Sequence, residues 1–166
     1  ELSGGQRQRV GIARALIIQP EFVIADEPVS MLDASVKAGI IALMMELKGK
    51  IDLTYVFITH EIALAYHICD RIAVMYLGEV VEQGDITSVI RTPSHPYTKL
   101  LIEAVPPLVP DKTWARKTFG ASSFARTPYG CKFYDRCTQA KALCKTERPE
   151  LHEIDTGHVV ACHLDN

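Results

Sequence analysis

Four groups of residues carry side chains whose type and spacing are fit for chemistry. Leu2-Ser3-Gly4-Gly5-Gln6 stands directly before a stretch with helical periodicity. Two residues without side chains leave backbone N–H groups uncovered, Ser3 adds a hydroxyl, and a helix start carries partial positive charge, so the three together point to an anion. An ordinary glycine turn with a serine cap is the plain alternative. Asp26 and Glu27 close the apolar run Phe22-Val23-Ile24-Ala25, and His60-Glu61 follows Tyr55-Val56-Phe57-Ile58-Thr59. Titratable groups at strand carboxyl ends lie where open α/β sheets bind their ligands. The last group is Cys131, Cys137, Cys144 and Cys162, spaced C-x5-C-x6-C-x17-C. It lacks the tight C-x2-4-C pair of most structural zinc sites, and its spacing leaves four readings open: a [4Fe-4S] cluster, zinc, unmodified thiols or disulfides. His152, His158 and His163 are substitute ligands in the metal readings.

The elements that must position these groups alternate between strand and helix. Val10, Ala13, Leu16 and Ile17 predict a helix over Arg9 to Ile18, ended near Pro20. Phe22 to Ala25 reads as a strand buried on both faces of a parallel sheet. Asp33 is placed to cap a helix reaching about Lys48, whose Val36, Ile40, Leu43, Met44 and Leu47 form one apolar stripe. A strand over Tyr55 to Thr59 and a helix over Ile62 to Ile68 follow, with Cys69 read as a small apolar core residue. Two short strands meeting at Gly78 predict a hairpin at a sheet edge, and Asp85 to Arg91 and Pro96 to Val105 predict helices. Pro106-Pro107-Leu108-Val109-Pro110 cannot continue a helix, and periodicity weakens from there to Gly130. The expected division is therefore 1–105, a linking and irregular segment 106–130, and a cysteine-bearing region 131–166.

Composition bounds the function. The 166 residues are 48% hydrophobic and 23% charged with net charge −2. Residues 1–110 hold 9 Lys/Arg against 13 Asp/Glu, and residues 111–166 hold 9 against 7. With no basic stripe, nucleic acid is not an expected partner. The longest uncharged apolar run, Ala38 to Met45, is far short of the roughly 18 residues of a membrane span.

The string Leu2-Ser3-Gly4-Gly5-Gln6-Arg7-Gln8-Arg9, followed in order by Ala13-Arg14-Ala15, Asp26-Glu27-Pro28, Asp33 and His60, resembles the ATP-binding-cassette (ABC) ATPases of ABC transporters. The resemblance implies a partial P-loop NTPase, RecA-like, with a doubly wound α/β sheet and an irregular cysteine-bearing C-terminal extension. In its terms Ser3, Gly4, Gly5 and Gln6 are the signature motif, which contacts the ATP of a partner subunit. Asp26 ends the Walker B strand and binds Mg²⁺, an ion that favours carboxylate and water oxygens. Glu27 is the general base toward the attacking water, and His60 the switch histidine at the γ-phosphate. Ser30-Met31-Leu32-Asp33 stands where the family's D-loop lies, with Asp33 at the dimer interface. Alanine is commoner where Met31 stands.

No Gly-x-x-x-x-Gly-Lys-Ser/Thr string occurs in these residues, so the phosphate cradle such ATPases use is not among them. The resemblance implies that the chain corresponds to the carboxyl-terminal part of a cassette subunit, cut just before the signature motif and inactive alone. Thr92-Pro93-Ser94-His95-Pro96-Tyr97-Thr98-Lys99-Leu100-Leu101 and the cysteine region resemble the oligopeptide/dipeptide branch of bacterial importers. Some members of that branch carry an iron–sulfur cluster on this tail, and nickel importers share much of the pattern. The implied setting is peripheral, on the cytoplasmic face of the inner membrane. The implied partners are a second ATPase subunit, identical or paralogous, transmembrane permease subunits and, indirectly, a solute-binding protein. A non-catalytic, metal-stapled module that docks a transporter partner is the rival reading.

Overall fold

A computed structural model of the chain describes residues 2–30, 32–105 and 129–164. Met31, the proline segment and most of the irregular stretch expected after it lie outside the described residues. The chain forms two compact units, residues 1–61 and 62–166.

In the first unit, helix α1 (Gly4–Leu16) opens at the glycine pair itself, five residues before the periodicity predicts. The cap explains the early start: Ser3 Oγ accepts from the Gln6 N–H at 3.3 Å while Gln6 Oε1 accepts from the Ser3 N–H at 2.9 Å, a reciprocal capping box. Strand β1 (Phe22–Asp26), helix α2 (Ala34–Lys50) and strand β2 (Thr54–Ile58) follow, with β1 and β2 parallel and paired from Phe22↔Thr54 to Asp26↔Ile58. Parallel neighbours need a crossover of this length, which α2 supplies. Ile40 and Met44 are the fully buried part of its predicted stripe, with Val36, Leu43 and Leu47 half-buried.

Burial on both faces of β1 is not what the structure shows. Ala25 is buried, whereas Phe22 and Ile24 are 52% and 61% exposed, and their neighbours Val56 and Ile58 on β2 are exposed with them. The two strands alternate inside and outside, so an apolar run here marks a sheet with one face uncovered by this unit's own described elements. No residue of α1 is buried either.

The second unit holds α3 (Ile62–Ile68), β3 (Arg71–Tyr76), β4 (Glu79–Asp85), α4 (Ile86–Arg91), α5 (Pro96–Glu103), a 3-10 turn over Tyr134–Arg136, α6 (Leu143–Thr146), β5 (His152–Asp155) and β6 (His158–Val160). Cys69, just past α3, is half-buried rather than fully enclosed. The predicted hairpin is present: Leu77 and Gly78 both have positive φ, 47° and 81°, as a two-residue primed turn demands, and Tyr76 pairs with Glu79. The sheet order is β3-β4-β6-β5, antiparallel throughout, so the cysteine-bearing region extends the hairpin through two short strands. The core gathers Val74, Tyr76, Val81, Val89 and Phe133. Phe133 meets Tyr76 edge-on at 5.2 Å and Tyr97 at 5.5 Å, anchoring the region after residue 129 to β3 and α5.

Candidate functional site

Parallel pairing brings the carboxyl ends of β1 and β2 side by side, and with them Asp26, Glu27 and His60. Glu27 continues the ladder one residue past β1, its N–H donating to the Ile58 carbonyl at 2.9 Å. The chain then turns sharply. Glu27 has φ of 41°, a left-handed conformation rare for a residue with a side chain, and Pro28 follows it. A non-glycine residue held there costs on the order of 1–3 kcal/mol. The structure retains it because the Glu27 carbonyl accepts two hydrogen bonds from Ser30, from the N–H at 3.1 Å and from Oγ at 2.9 Å, while Pro28 and Val29 are buried beneath.

The two neighbouring carboxylates meet different surroundings. Asp26, exposed at the strand end, presents hard oxygen donors of the kind Mg²⁺ takes one or two at a time beside phosphate and water oxygens. Glu27 instead meets His60, with Oε1 3.0 Å from Nδ1. A carboxylate can only accept, so in this contact His60 Nδ1 carries the proton and Nε2 is left as the imidazole's second polar atom. Both side chains are about half-exposed or more, open to a ligand. Beyond His60, Thr59 Oγ1 accepts from the Glu61 N–H at 3.0 Å and Glu61 pairs with Lys37 of α2 at 2.5 Å, which fixes the end of β2 against the helix.

The other predicted positions stand apart from this pair. Ser3, Gly4 and Gln6 are exposed at the start of α1, where the capping box already uses Ser3 Oγ as an acceptor; a hydroxyl that accepts one bond keeps its proton for an anion. Gly5 has a packing reason of its own. A Cβ there would stand 2.6 Å from Val36 Cγ1, so the close approach of α1 to α2 demands glycine. Asp33 occupies the N-cap position of α2 as predicted, yet makes no side-chain cap hydrogen bond, and its carboxylate is exposed.

Cys131, Cys137, Cys144 and Cys162 all line one cavity, together with His95 and His163. No disulfide joins them. Burial pushes the Cys131 and Cys137 thiols up from their ordinary value, partly opposed by backbone N–H groups of Phe133 and Gln139 respectively. Among the described residues, no three His, Cys, Asp or Glu side chains are arranged to hold a metal ion. The four cysteines share this cavity, and no ligand geometry for the expected cluster or zinc is found among the described residues. His158 is also removed from the substitute ligands, because its Nε2 bonds Glu82 Oε1 at 2.8 Å.

The sequence reading missed Glu82 altogether. Fully buried, its carboxylate also accepts from the N–H groups of Ser94 at 2.8 Å and His95 at 2.9 Å, and so joins β4, β6 and the start of α5. Glu82 is one of three acids in β4, and nothing local marks it as the buried one: it lies inward next to buried Val81 because the register shifts at the bulge between Val74 and Met75.

Comparison with known proteins follows the same lines. The family model described as "ABC transporter" matches residues 1–30, and that described as "Oligopeptide/dipeptide transporter, C-terminal region" matches residues 81–144. The oligopeptide transport ATP-binding protein AppF of Bacillus subtilis is 46% identical over 99% of this chain and 51% of its own length. The dipeptide transport ATP-binding protein DppF of Haemophilus influenzae is 43% identical over 98% of this chain and 51% of its own. The chain thus spans about half the length of the curated relatives it matches. Among solved structures, MJ1267, an ATP-binding cassette of an ABC transporter in its ADP conformation, superposes with a TM-score of 0.52 at 30% identity over 60% of this chain and 41% of its own. CbiO1 of Clostridium perfringens gives 0.51 at 35% identity over 55% and 36%. Strand-end acids, the capped glycine start of α1 and likeness over nearly the whole chain agree, and the chain is similar throughout to ATP-binding proteins of ABC transporters named for oligopeptide and dipeptide transport.

Proposed function

We propose that this chain is part of an ATP-hydrolysing subunit that powers uptake of oligopeptides or dipeptides through an ABC importer. The observation that carries the reading is the Glu27–His60 contact at the ends of two parallel strands, with Asp26 beside it. Glu27 takes a proton from the water that attacks the γ-phosphate, and His60 orients that carboxylate and reaches the same phosphate. Asp26 would hold Mg²⁺, which when bound supplies charge neutralisation at the β- and γ-phosphates. Ser3, Gly4, Gly5 and Gln6 offer a hydroxyl and a helix start to the ATP of a second ATPase subunit, and Asp33 faces that subunit. Without a phosphate loop among its residues, this stretch is inactive by itself. The divisions 1–105, 106–130 and 131–166 then mark the cassette portion, a connection and a branch-specific region.

Peptide cargo is supported by the names of the relatives and by the match over residues 81–144. Permease subunits are the proposed membrane partners, with the subunit peripheral on the cytoplasmic face. Among the described residues no helix is long and apolar enough to cross a membrane. No step of this mechanism runs through an iron–sulfur cluster or zinc. The test is Glu27→Gln in the transporter ATPase subunit carrying this sequence. ATP binding is expected to persist while phosphate release falls by a factor of roughly 10²–10⁴, the range that general-base catalysis supplies. Phosphate release at the wild-type rate overturns the reading.

A further inference from the structure

A general base must be aimed as well as present, and the direction of a side chain is set first by the backbone it leaves. Glu27 leaves its strand in a left-handed conformation that its residue type disfavours, immediately before a proline that disfavours it further. Two bonds hold its peptide plane on the far side, and both come from one residue: the Ser30 N–H closes the turn at 3.1 Å, and the Ser30 hydroxyl reaches the same carbonyl at 2.9 Å. The N–H bond is available to any residue at that position. The hydroxyl bond is not, and it is a side-chain hydrogen bond to the backbone of the residue whose carboxylate contacts His60 at 3.0 Å.

We propose that Ser30 is a positioning residue for Glu27: its hydroxyl locks the Glu27 carbonyl, and through it the strained φ that sets the Glu27 carboxylate against His60. The inference rests on the reading of Glu27 as general base. Loss of the hydroxyl lets the turn relax toward ordinary φ and swings the carboxylate, and a misplacement of about 1 Å at a reacting group costs on the order of 10²-fold in rate.

The test is a double-mutant cycle in the transporter ATPase subunit carrying this sequence. Ser30→Ala is expected to lower kcat for ATP hydrolysis by about tenfold to a hundredfold with KM for ATP within about twofold of wild type, and Ser30→Thr, which keeps the hydroxyl, to restore most of the rate. In a Glu27→Gln background, Ser30→Ala is expected to cost nothing further, because there is no longer a base to aim. An equal loss in both backgrounds, a loss seen only in KM, or a Ser30→Thr rate as low as that of Ser30→Ala overturns the proposal. A Glu27→Gln subunit that hydrolyses ATP at the wild-type rate is a separate failure: it removes the general-base reading, and this one with it.

Discussion

At the scale of single residues, Gly5 shows how a residue proposed for anion binding also has a packing role. Gly5 was legible as part of an anion-binding string, but its distance of 2.6 Å from a prospective Cβ to Val36 Cγ1 was not, because that contact joins residues on two helices. Gly5→Ala sets two effects against each other. Alanine gains about 1 kcal/mol or less of helix propensity, while overpacking against a β-branched neighbour costs typically 1–3 kcal/mol. A net loss of stability is therefore expected in denaturant unfolding, with part of the loss relieved when Val36→Ala is added; a Gly5→Ala chain as stable as wild type would show that α1 and α2 are not held this closely. The cysteines supply a second prediction at this scale. Burial is the largest cause holding the Cys131 and Cys137 thiols above 9.0, so the folded chain keeps their protons after the unfolded chain has released them. Stability on this account is fully present below pH 9 and declines as pH rises through and beyond it. Unfolding free energies measured along that range should slope downward, and the slope should flatten in the Cys131→Ser, Cys137→Ser variant.

Elements were the most legible scale where local signals were strong. The Asp33 N-cap position, the Gly78 turn and Asp85, whose carboxylate accepts from the Thr87 and Ser88 N–H groups, all fall within a residue or two of the observed boundaries. What could not be read was pairing between distant segments. Nothing local to His158 says that it reaches Glu82, 76 positions away, and from the sequence its imidazole reads only as a substitute metal ligand. That contact organises the second unit: Glu82 connects β4 to β6 and, through the Ser94 and His95 N–H groups, to the start of α5, where His95 Nδ1 in turn accepts from the Tyr97 N–H at 3.0 Å. Removing one partner of a buried pair strands the others. Glu82→Ala is expected to destabilise the fold by about 3–5 kcal/mol, and Glu82→Gln by about 1–3 kcal/mol, since an amide keeps one acceptor oxygen. Urea unfolding measures the loss, and hydrogen exchange at the Ser94 and His95 amides should quicken in both variants; a Glu82→Ala chain within 1 kcal/mol of wild type would mean that water replaces the carboxylate at little cost.

For the whole molecule, the sequence overestimated how enclosed the first unit is. A continuous apolar run reads as a strand covered on both faces, yet Phe22, Ile24, Val56 and Ile58 stand on one exposed face of a two-strand sheet whose alternate residues, Val23, Ala25, Tyr55 and Phe57, are buried or half-buried. Run length reports how apolar a strand is, and only the neighbouring elements decide how much of it is covered; this chain spans about half of its relatives' length. Among the described residues both strands of that sheet are edges, and edge strands and contiguous exposed apolar surface drive association between chains. Ile24 and Val56 are direct cross-strand partners at its centre. Replacing them by an opposite-charge pair, Ile24→Lys with Val56→Glu, removes the patch while keeping a favourable cross-strand contact, which contributes roughly 0.2–1 kcal/mol. The 166-residue chain is expected to associate with rising concentration in sedimentation velocity, and the doubly substituted chain to remain monomeric over the same range with an unchanged far-ultraviolet circular dichroism spectrum. Association that persists undiminished in the charged variant would locate the adhesive surface elsewhere, with Ile17 and Ile18 after α1, at 81% and 78% exposure, the next positions to substitute.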